Sequence, residues 1–563
     1  MSPLPRWLRH YRAQDLPNDL LAALMLTLIS VPQGLAYAAL AGLPPEIGLY
    51  ASLLPALVYA LFGSHPALAM GPAALIAVMI ASALSPLATP GSEAYVAASI
   101  MLTALCGGFM LLFGLLRLGV LAQLLSHPVV SGFVNGAALV IITNQLGPLL
   151  GVHASGDNTL SLLAELVPAL PGLDPVTTAV GVTVLMILAA RRPLVARLVK
   201  ALPRHRKLLS FSAQALPALL GIAALLLMHW HPLTVATLGT IPEGLPALRL
   251  PDWDLPLMQQ LVLPALVIGL VAYVEGLVII EGLAREDAPP VNPDRELRAL
   301  GGANLASAFT AGMIVAASFS RTTVAAEAGA RTPLAALVSI ALLSVLLMGF
   351  TDLLSALPLA VLAAIIIAAS WSLIEFGQLR RLWRYDRSDA AVFTGTFLGV
   401  LLIDIQTGIA LGIGLSLLAL IWQASNPHVA VIGQIPGTSQ FRNRARQQVE
   451  EVPELLMLRI DESLFFGNIR VVNQRITDTL AQHPASRHLV LVMSSVSHMD
   501  STALDYLARL RRRLAQQDVT LSFAEVKNIL LEKIAHAPVF ADGDTVLFST
   551  ALEAKQTLLG LRQ

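Results

Sequence analysis

Residues 261–280 read LVLPALVIGLVAYVEGLVII, a run that holds a single charged side chain, Glu275. A helix needs about 20 apolar residues to cross the ~30 Å hydrocarbon core of a bilayer, where no water is present to hydrogen-bond an open backbone. The run therefore predicts a transmembrane helix. A carboxylate inside such a helix is costly, and by default it indicates a functional group.

The composition indicates that most of the chain faces lipid. Of its 563 residues, 56% are hydrophobic and only 13% are charged, with a mean hydropathy of +0.71, whereas a soluble protein carries about 25% charge. Long apolar runs fill residues 20 to 425, and residues 435 to 563 have the composition of a soluble domain. The formal net charge is zero, so nothing indicates nucleic-acid binding. The single cysteine, Cys106, excludes an intrachain disulfide and a CxxC metal site.

The apolar runs predict a polytopic α-helical membrane protein. A count of twelve or thirteen spans stays open, because the run at 121–150 is longer than one span needs. We expect fourteen spans near residues 20–38, 48–63, 70–86, 94–115, 121–150, 173–190, 208–229, 258–283, 299–315, 318–330, 334–350, 354–376, 389–405 and 407–424.

Basic clusters orient these spans, because arginine and lysine are enriched in cytoplasmic loops. A cytoplasmic N-terminus with Arg6, Arg9 and Arg12 places the basic clusters at 191–207 and 380–387 in the cytoplasm as well. A secretory signal is the less favoured alternative, since acidic residues interrupt the basic stretch and many apolar runs follow it. The same threading returns the C-terminal domain to the cytoplasm.

The chain is predicted to have four parts. They are a cytoplasmic N-terminal segment at 1–18, a transmembrane domain at 19–425, a linker at 426–450 and a cytoplasmic α/β domain at 451–563. In the last part, short apolar strands alternate with amphipathic helices. This pattern is typical of a sheet covered by helices.

Three interruptions of the apolar spans are candidate binding sites, because backbone groups freed at membrane depth need a partner. Pro32-Gln33-Gly34 interrupts the first span, and Tyr37 lies one turn further on the same face. Gly71-Pro72-Ala73-Ala74 and Ser318-Phe319-Ser320-Arg321 each open a short helix.

The second and third interruptions together predict an anion site. In the threading above, their helices start near mid-membrane and run in opposite directions, so both positive N-terminal ends face one point. Paired broken segments in the two halves of a chain also indicate an inverted-repeat transporter. Arg321 adds a full positive charge, and a lone arginine at membrane depth costs about 3 kcal/mol or more unless it faces a cavity or an acidic partner.

Each feature also has a structural explanation. Gly71-Pro72 could be a simple kink, and Arg321 could extend to the membrane interface. Gln33 and Tyr37 could be hydrogen-bonded helix packing. Glu275 could exchange a coupling proton or could be the ion-pair partner of Arg321.

Several motifs resemble those of the sulfate permease family. They cover the whole membrane region and include PQGLAYA at 32–38, PPEIGLYASLLP at 44–55, SFSR at 318–321 and AGARTPLA at 328–335. The C-terminal domain resembles a STAS domain, with MDSTAL at 499–504 in place of the usual turn that opens a helix.

The resemblance implies two intertwined inverted repeats of seven segments, a core domain that moves against a gate domain, and a homodimer. It implies that Glu275 is the coupling group, as in proton-coupled members. It also implies that the anion sits between the helices opened by Ala73 and Phe319, lined by Gln33, Tyr37, Ser320 and Arg321.

One departure from the family pattern concerns recognition by the first half. Many relatives place a hydroxyl or aromatic residue directly after the Gly-Pro, whereas Ala73 and Ala74 offer only backbone donors. Family members carry sulfate, bicarbonate, chloride, oxalate or dicarboxylates. The pocket residues do not separate these anions.

Asp500 and Ser501 open a helix of the STAS-like domain. Ser501 occupies the position that is phosphorylated in sporulation anti-sigma antagonists, which these domains resemble. The simpler interpretation is that Asp500 or Ser501 caps the helix. No GxxxxGK[ST] phosphate loop is present, and we expect regulation or assembly, with a cytoplasmic protein partner, not catalysis.

These features predict a proton-coupled anion symporter of the inner membrane that works by alternating access. An enzyme is not expected, nor is a cofactor or a metal. The alternatives are an anion exchanger, a sodium-coupled bicarbonate carrier, an anion channel, and a membrane sensor that signals through the STAS-like domain.

Overall fold

The computed structural model describes residues 11, 13–65, 68–120, 126–152, 154, 159–201, 206–230, 234–251, 253–283, 292–310, 312–330, 332–536 and 546–560. Most of the predicted cytoplasmic N-terminal segment, with Arg6, Arg9 and Arg12, lies outside these residues. The chain divides into two units, Met1–Ser416 and Leu417–Gln563.

Helices fill the first unit. In the described residues they occupy all fourteen predicted spans, and the long run at 121–150 holds the consecutive helices α6 and α7. Seven described segments are long and apolar enough to cross a membrane by length and composition. In chain order the helices are α1 Leu16–Leu40, α2 Pro45–Tyr50, α3 Leu54–Phe62, α4 Ala74–Leu84, α5 Glu93–Leu115, α6 His127–Asn144, α7 Leu146–Leu150, α8 Thr159–Ala169, α9 Pro175–Ala201, α10 Arg206–Trp230, α11 Leu255–Leu283, α12 Pro293–Thr310, α13 Phe319–Glu327, α14 Leu334–Gly349, α15 Thr351–Ser355, α16 Leu359–Trp371, α17 Gln378–Tyr385, α18 Arg387–Leu402 and α19 Ile405–Ser425.

The predicted interruption at Pro32-Gln33-Gly34 is not a break in the helix. Helix α1 continues from Leu16 to Leu40 with Pro32 inside it. A proline removes one backbone hydrogen bond, and a transmembrane helix tolerates this loss where neighbouring helices pack closely. Gly34 provides such packing, since a Cβ atom there would lie 3.0 Å from the carbonyl oxygen of Gly48 on α2.

Two short strands lie inside the membrane unit. They are β1 Met70–Gly71 and β2 Ala316–Ala317, and they pair antiparallel with Met70 opposite Ala317. Each strand leads into a short helix, α4 or α13, in the third predicted span of its half of the chain. The antiparallel pair therefore makes these helices begin at one place and run in opposite directions, which confirms the predicted inverted repeat.

Small residues bring α5 and α12 together beside this strand pair. A Cβ atom on Gly301 would lie 2.5 Å from the backbone nitrogen of Leu111, and one on Gly107 would lie 2.7 Å from that of Leu305. Glycines allow such close approach of membrane helices, where van der Waals packing is the main attraction. Helix α12, which leads to the interruption at Ser318–Arg321, is therefore held against α5 of the first half of the chain.

The second unit is built on a six-stranded sheet with the strand order β4-β3-β5-β6-β7-β8. Strands β5 to β8 pair in parallel, and β3 is antiparallel to β5. Apolar side chains are buried on both faces of the sheet, as expected of parallel strands covered by helices. The elements are β3 Val429–Gln434, β4 Phe441–Asn443, β5 Leu455–Ile460, α20 Ile469–Ala481, β6 His488–Val492, α21 Ser501–Ala515, β7 Thr520–Ala524, α22 Asn528–His536, β8 Val546–Phe548 and α23 Ala551–Leu558.

The residues predicted as a linker, 426–450, include part of this sheet. They hold β3 and β4, and Ala430 and Ile432 of β3 are buried in the core. The polar composition of the stretch comes from its turns and from the exposed edge strand β4. The apolar run of β3 is only four residues long, at 429–432, and a long polar stretch follows it.

Candidate anion site

A glycine forms the first break at the end of β1. The φ angle of Gly71 is +154°, and a Cβ atom there would lie 2.5 Å from Nη1 of Arg321. Helix α4 begins at Ala74 after the extended residue Ala73, and no side chain caps its N-terminus. The N–H groups of the first turn of α4 are therefore available to a ligand. This agrees with the expectation that Ala73 and Ala74 offer only backbone donors.

Hydrogen bonds join the second break to the first. Ser318 precedes α13, and its side chain accepts a 3.5 Å hydrogen bond from the backbone nitrogen of Arg321. The backbone N–H of Ser318 donates to the carbonyl of Ala69 at 3.0 Å, and Ala69 N–H donates to Oγ1 of Thr322 at 3.0 Å. These hydrogen bonds hold the two helix N-termini close together.

Arg321 lies where the two breaks meet and is 1% exposed. Its Nη2 donates to the carbonyl oxygen of Pro72 in the first break. Its Nε is buried and has no hydrogen-bond partner in the described part of the chain. No ion pair joins Arg321 to Glu275 among the described residues, so the alternative that Glu275 neutralises it directly is not what the structure has. A buried guanidinium with an open donor is a binding group for an anion.

Gln33 and Tyr37 lie on α1, which packs against both α4 and α13. Both side chains are buried. Tyr37 lies within electrostatic reach of Arg321 and of Glu275. Of the two predicted lining residues of the first span, Tyr37 therefore lies near the charged one.

Glu275 lies on α11, next to the strand pair. A Cβ atom on the adjacent Gly276 would be 3.8 Å from the Cβ of Ala317 in β2. The Oε2 atom of Glu275 is buried and accepts no hydrogen bond from any described group. The side chains of Phe319 and Ser320 lie outside what the structure describes, and only their backbone, in the first turn of α13, is placed.

Polar residues that the sequence analysis missed hold the extended stretch 312–317 in position. The side-chain amide of Asn304 donates to the carbonyl of Val315 at 3.0 Å and accepts from its N–H at 2.8 Å. Ser99 and Ser307 donate to the two carbonyls at the start of the stretch. Polar side chains inside predicted spans were a signal that could have found them.

A second missed group is a buried carboxylate at the start of α12. Glu296 is 0% exposed and accepts hydrogen bonds from Tyr59 Oη at 2.8 Å and from the hydroxyl and N–H of Ser64. Tyr59 and Ser64 line a cavity of about 560 Å³ that also reaches Arg295 and Arg321. Gln33, Tyr37 and Glu275 do not line this cavity, whereas Arg321 lines it and also lies within electrostatic reach of Tyr37.

Comparison with known proteins identifies the membrane unit. The model of the sulfate permease family matches residues 16–396, which is more than half of the chain. The chain belongs to the sulfate permease family. A STAS domain model matches residues 446–551, which agrees with the sheet and helices of the second unit.

Relatives cover nearly the whole chain of this family member. A probable sulfate transporter of Mycobacterium tuberculosis is 32% identical over 97% of this chain and 96% of its own. The chloroplastic sulfate transporter 4.1 of Arabidopsis thaliana is 32% identical over 93% of this chain and 77% of its own.

Solved structures show the same fold. The murine Solute Carrier 26 family member A9 anion transporter in the inward-facing state matches with a TM-score of 0.88 at 22% identity, covering 98% of this chain and 93% of that one. The transmembrane domain of the cyanobacterial bicarbonate transporter BicA matches with a TM-score of 0.59 at 23% identity, over 73% of this chain and 98% of that one.

Asp500 of the STAS domain caps its helix. Its Oδ1 accepts from the N–H of Ala503 at 2.8 Å, and its Oδ2 accepts from the N–H of Phe466 at 2.8 Å. Ser501 is exposed at the first turn of α21. Asp500 therefore has the structural role of the simpler interpretation, and it also ties the loop before α20 to α21.

Proposed function

We propose that this sulfate permease family member is a secondary transporter that carries a small anion, with sulfate first among the candidates, across the inner membrane by proton-coupled symport. The observation that carries the proposal is the buried Arg321 beside the N-termini of α4 and α13. Helix α4 has no side-chain cap, and Nε of Arg321 is unpaired in the described residues. The printed descriptions of the relatives as sulfate transporters support sulfate as the first anion to test.

The two breaks and Arg321 divide the work of binding. The first turns of α4 and α13 supply backbone N–H groups and the positive ends of their dipoles. Arg321 supplies the full charge, and its planar guanidinium suits a tetrahedral or planar oxyanion. Gln33 and Tyr37 close the side of the site that faces α1. The residues of the two breaks surround the anion; they are Gly71, Pro72, Ala73, Ala74, Ser318, Phe319 and Ser320.

Glu275 is the proposed coupling group. Its carboxylate lies near Tyr37, and no ion pair joins it to Arg321 in the described residues. A proton on it raises the net charge of the site by one. A protonated Glu275 removes a negative charge that opposes an incoming anion. Binding of the proton and of the anion therefore favour each other, which is the requirement for symport.

The proposal extends to a homodimer with cytoplasmic N- and C-termini, in which the STAS domain regulates transport through a cytoplasmic protein partner. These features follow from the family resemblance and from the basic loops. Labelling of single cysteines introduced at either terminus, in a Cys106→Ala background, measures the sidedness. Cross-linking in the membrane measures the dimer.

An uptake screen tests the transport proposal. The full chain in proteoliposomes is given radiolabelled sulfate, bicarbonate, chloride or a C4-dicarboxylate at two external pH values, with a sodium gradient as a separate arm. We expect saturable sulfate uptake that rises at the more acidic external pH and that Arg321→Gln abolishes. Stimulation by sodium instead of acid favours a sodium-coupled bicarbonate carrier, and no saturable uptake of any anion favours a sensor.

The coupling role of Glu275 has its own test. Glu275→Gln mimics the protonated carboxyl, so we expect acid stimulation to disappear while anion exchange continues. Glu93→Gln, at an exposed carboxylate in the first turn of α5, is the matched control and should keep the acid response. Full acid stimulation in Glu275→Gln contradicts the proposed coupling.

A further inference from the structure

Exposed aromatic side chains surround the short helix α17. Trp371, Phe376, Trp383 and Tyr385 are 55%, 72%, 55% and 83% exposed. Aromatic residues make up only 6% of this chain, so their exposure together within fifteen residues is a local feature. Exposed apolar patches mark interaction sites, and tryptophan and tyrosine are enriched where a membrane protein meets the lipid headgroups.

Arginines lie among these aromatic side chains. Arg380, Arg381 and Arg384 line an open cavity of about 270 Å³ together with Gly377 and Tyr385. Arg381 is engaged, since it donates to Gln378 and lies 3.8 Å from the carboxylate of Glu375.

Arg380 and Arg384 are one helical turn apart and both exposed. No described carboxylate lies within ion-pair distance of either one. Two adjacent guanidinium groups therefore face the cavity with their charge uncompensated.

Polar contacts join α17 and the turn before it to α6. The amide of Gln378 is buried and hydrogen-bonds Nε2 of His127 at 2.9 Å, and the N–H of Glu375 donates to Asn135 at 2.9 Å. The helix lies directly between the spans α16 and α18. Because α17 connects two predicted spans, we expect it at the membrane surface.

We propose that α17 and its flanking aromatic residues bind the headgroup of an anionic phospholipid of the surrounding membrane. Arg380 and Arg384 bind the phosphate, for which the fork of guanidinium N–H donors is well suited. Trp371, Phe376 and Trp383 enter the boundary between headgroups and acyl chains. Charge complementarity indicates the occupant, because the two neighbouring arginines have no described carboxylate partner. The apolar rings beside them favour the headgroup of a lipid over an anion that is free in water.

The test uses the full chain in neutral detergent, with lipid retention measured by native mass spectrometry. Phosphatidylglycerol and phosphatidylcholine are titrated separately against the wild type and Arg380→Gln/Arg384→Gln. We expect the double variant to bind phosphatidylglycerol about 30-fold more weakly, since each arginine near an anionic leaflet contributes roughly a fivefold factor. Phosphatidylcholine retention should not change.

The matched control is Arg442→Gln/Arg446→Gln, which removes two exposed arginines of the second unit and should retain phosphatidylglycerol as the wild type does. Arg380→Lys/Arg384→Lys, which keeps the charge, should fall between the wild type and the glutamine variant, and it supplies the test if the glutamine variant does not fold. Equal retention of the two lipids by the wild type overturns the proposal.

Two other results also overturn it. Complete displacement of the lipid by inorganic phosphate at millimolar concentration assigns the site to a free anion. Dimer dissociation in the glutamine variant, with unchanged lipid retention, assigns the surface to a second copy of the chain.

Discussion

Replacement of Gly71 by alanine places a methyl group against the charge that defines the proposed site. The new Cβ would lie 2.5 Å from Nη1, 3.0 Å from Nη2 and 3.1 Å from Cζ of Arg321. It would also require a non-glycine residue at a φ angle of +154°. Both effects oppose the native arrangement of the first break.

The magnitude follows from these two terms. A non-glycine residue in this region of φ costs about 1–3 kcal/mol. Moving the guanidinium out of contact removes its hydrogen bond to Pro72, and hydrogen bonds of charged groups contribute about 1.5–3 kcal/mol. If that second term is lost from anion binding, the KM for uptake rises about 10-fold to 100-fold.

The assay is anion uptake in proteoliposomes, together with thermal unfolding of the purified chain. Gly108→Ala is the control, because nothing lies within 4 Å of a Cβ atom there. It should leave the KM unchanged and should stabilise α5 by about 0.5–1 kcal/mol, as alanine does in a helix. A wild-type KM and melting temperature in Gly71→Ala would show that Arg321 is not confined as described.

Three further predictions concern other contacts. Asn304→Ala removes both buried hydrogen bonds to the stretch before β2. We therefore expect a loss of about 2–4 kcal/mol in unfolding free energy, measured by thermal unfolding, and a lower transport rate, measured by uptake. An unchanged transport rate argues against a positioning role for Asn304. Asp500→Ala should destabilise the start of α21 by about 1 kcal/mol, seen as faster hydrogen exchange of its first-turn amides with anion uptake retained. Burial acts to raise the pKa of Asp461, but hydrogen bonds from Arg459 and His428 outweigh it and lower the pKa below the ordinary 3.8. The ionised Asp461 therefore stabilises the folded STAS domain. This contribution is complete above about pH 4 and is lost as the pH falls through the lower folded pKa. Asp461→Asn should remove that part of the acid dependence of STAS-domain unfolding, followed by circular dichroism.

The fourteen spans could be predicted from the sequence because the bilayer imposes a local rule. Every spanning segment must be apolar and must satisfy its own backbone, so hydropathy alone locates it. The strands from β5 onward were predictable for a similar reason, since each is a short apolar run. The exception was β3, whose apolar run of four residues lies beside a long polar stretch.

The charged candidates were also visible in the sequence. Arg321 and Glu275 stand out because a charge at membrane depth is costly and does not persist without a partner or a role. Gly71 and Pro72 stand out because they interrupt an apolar run. These are properties of single residues and their immediate neighbours.

Only the tertiary structure decided which of these groups meet. Arg321 donates to Pro72, which is 249 residues away in the chain, and not to Glu275. Glu296 is paired with Tyr59 and Ser64, and Asn304 holds the stretch before β2. Such partners are brought together by the antiparallel pairing of two strands of two residues each and by glycine contacts between helices, and neither leaves a periodic pattern in the sequence. Hydropathy therefore determined where the chain crosses the membrane, and packing determined what Arg321, the one buried arginine among the described residues, contacts.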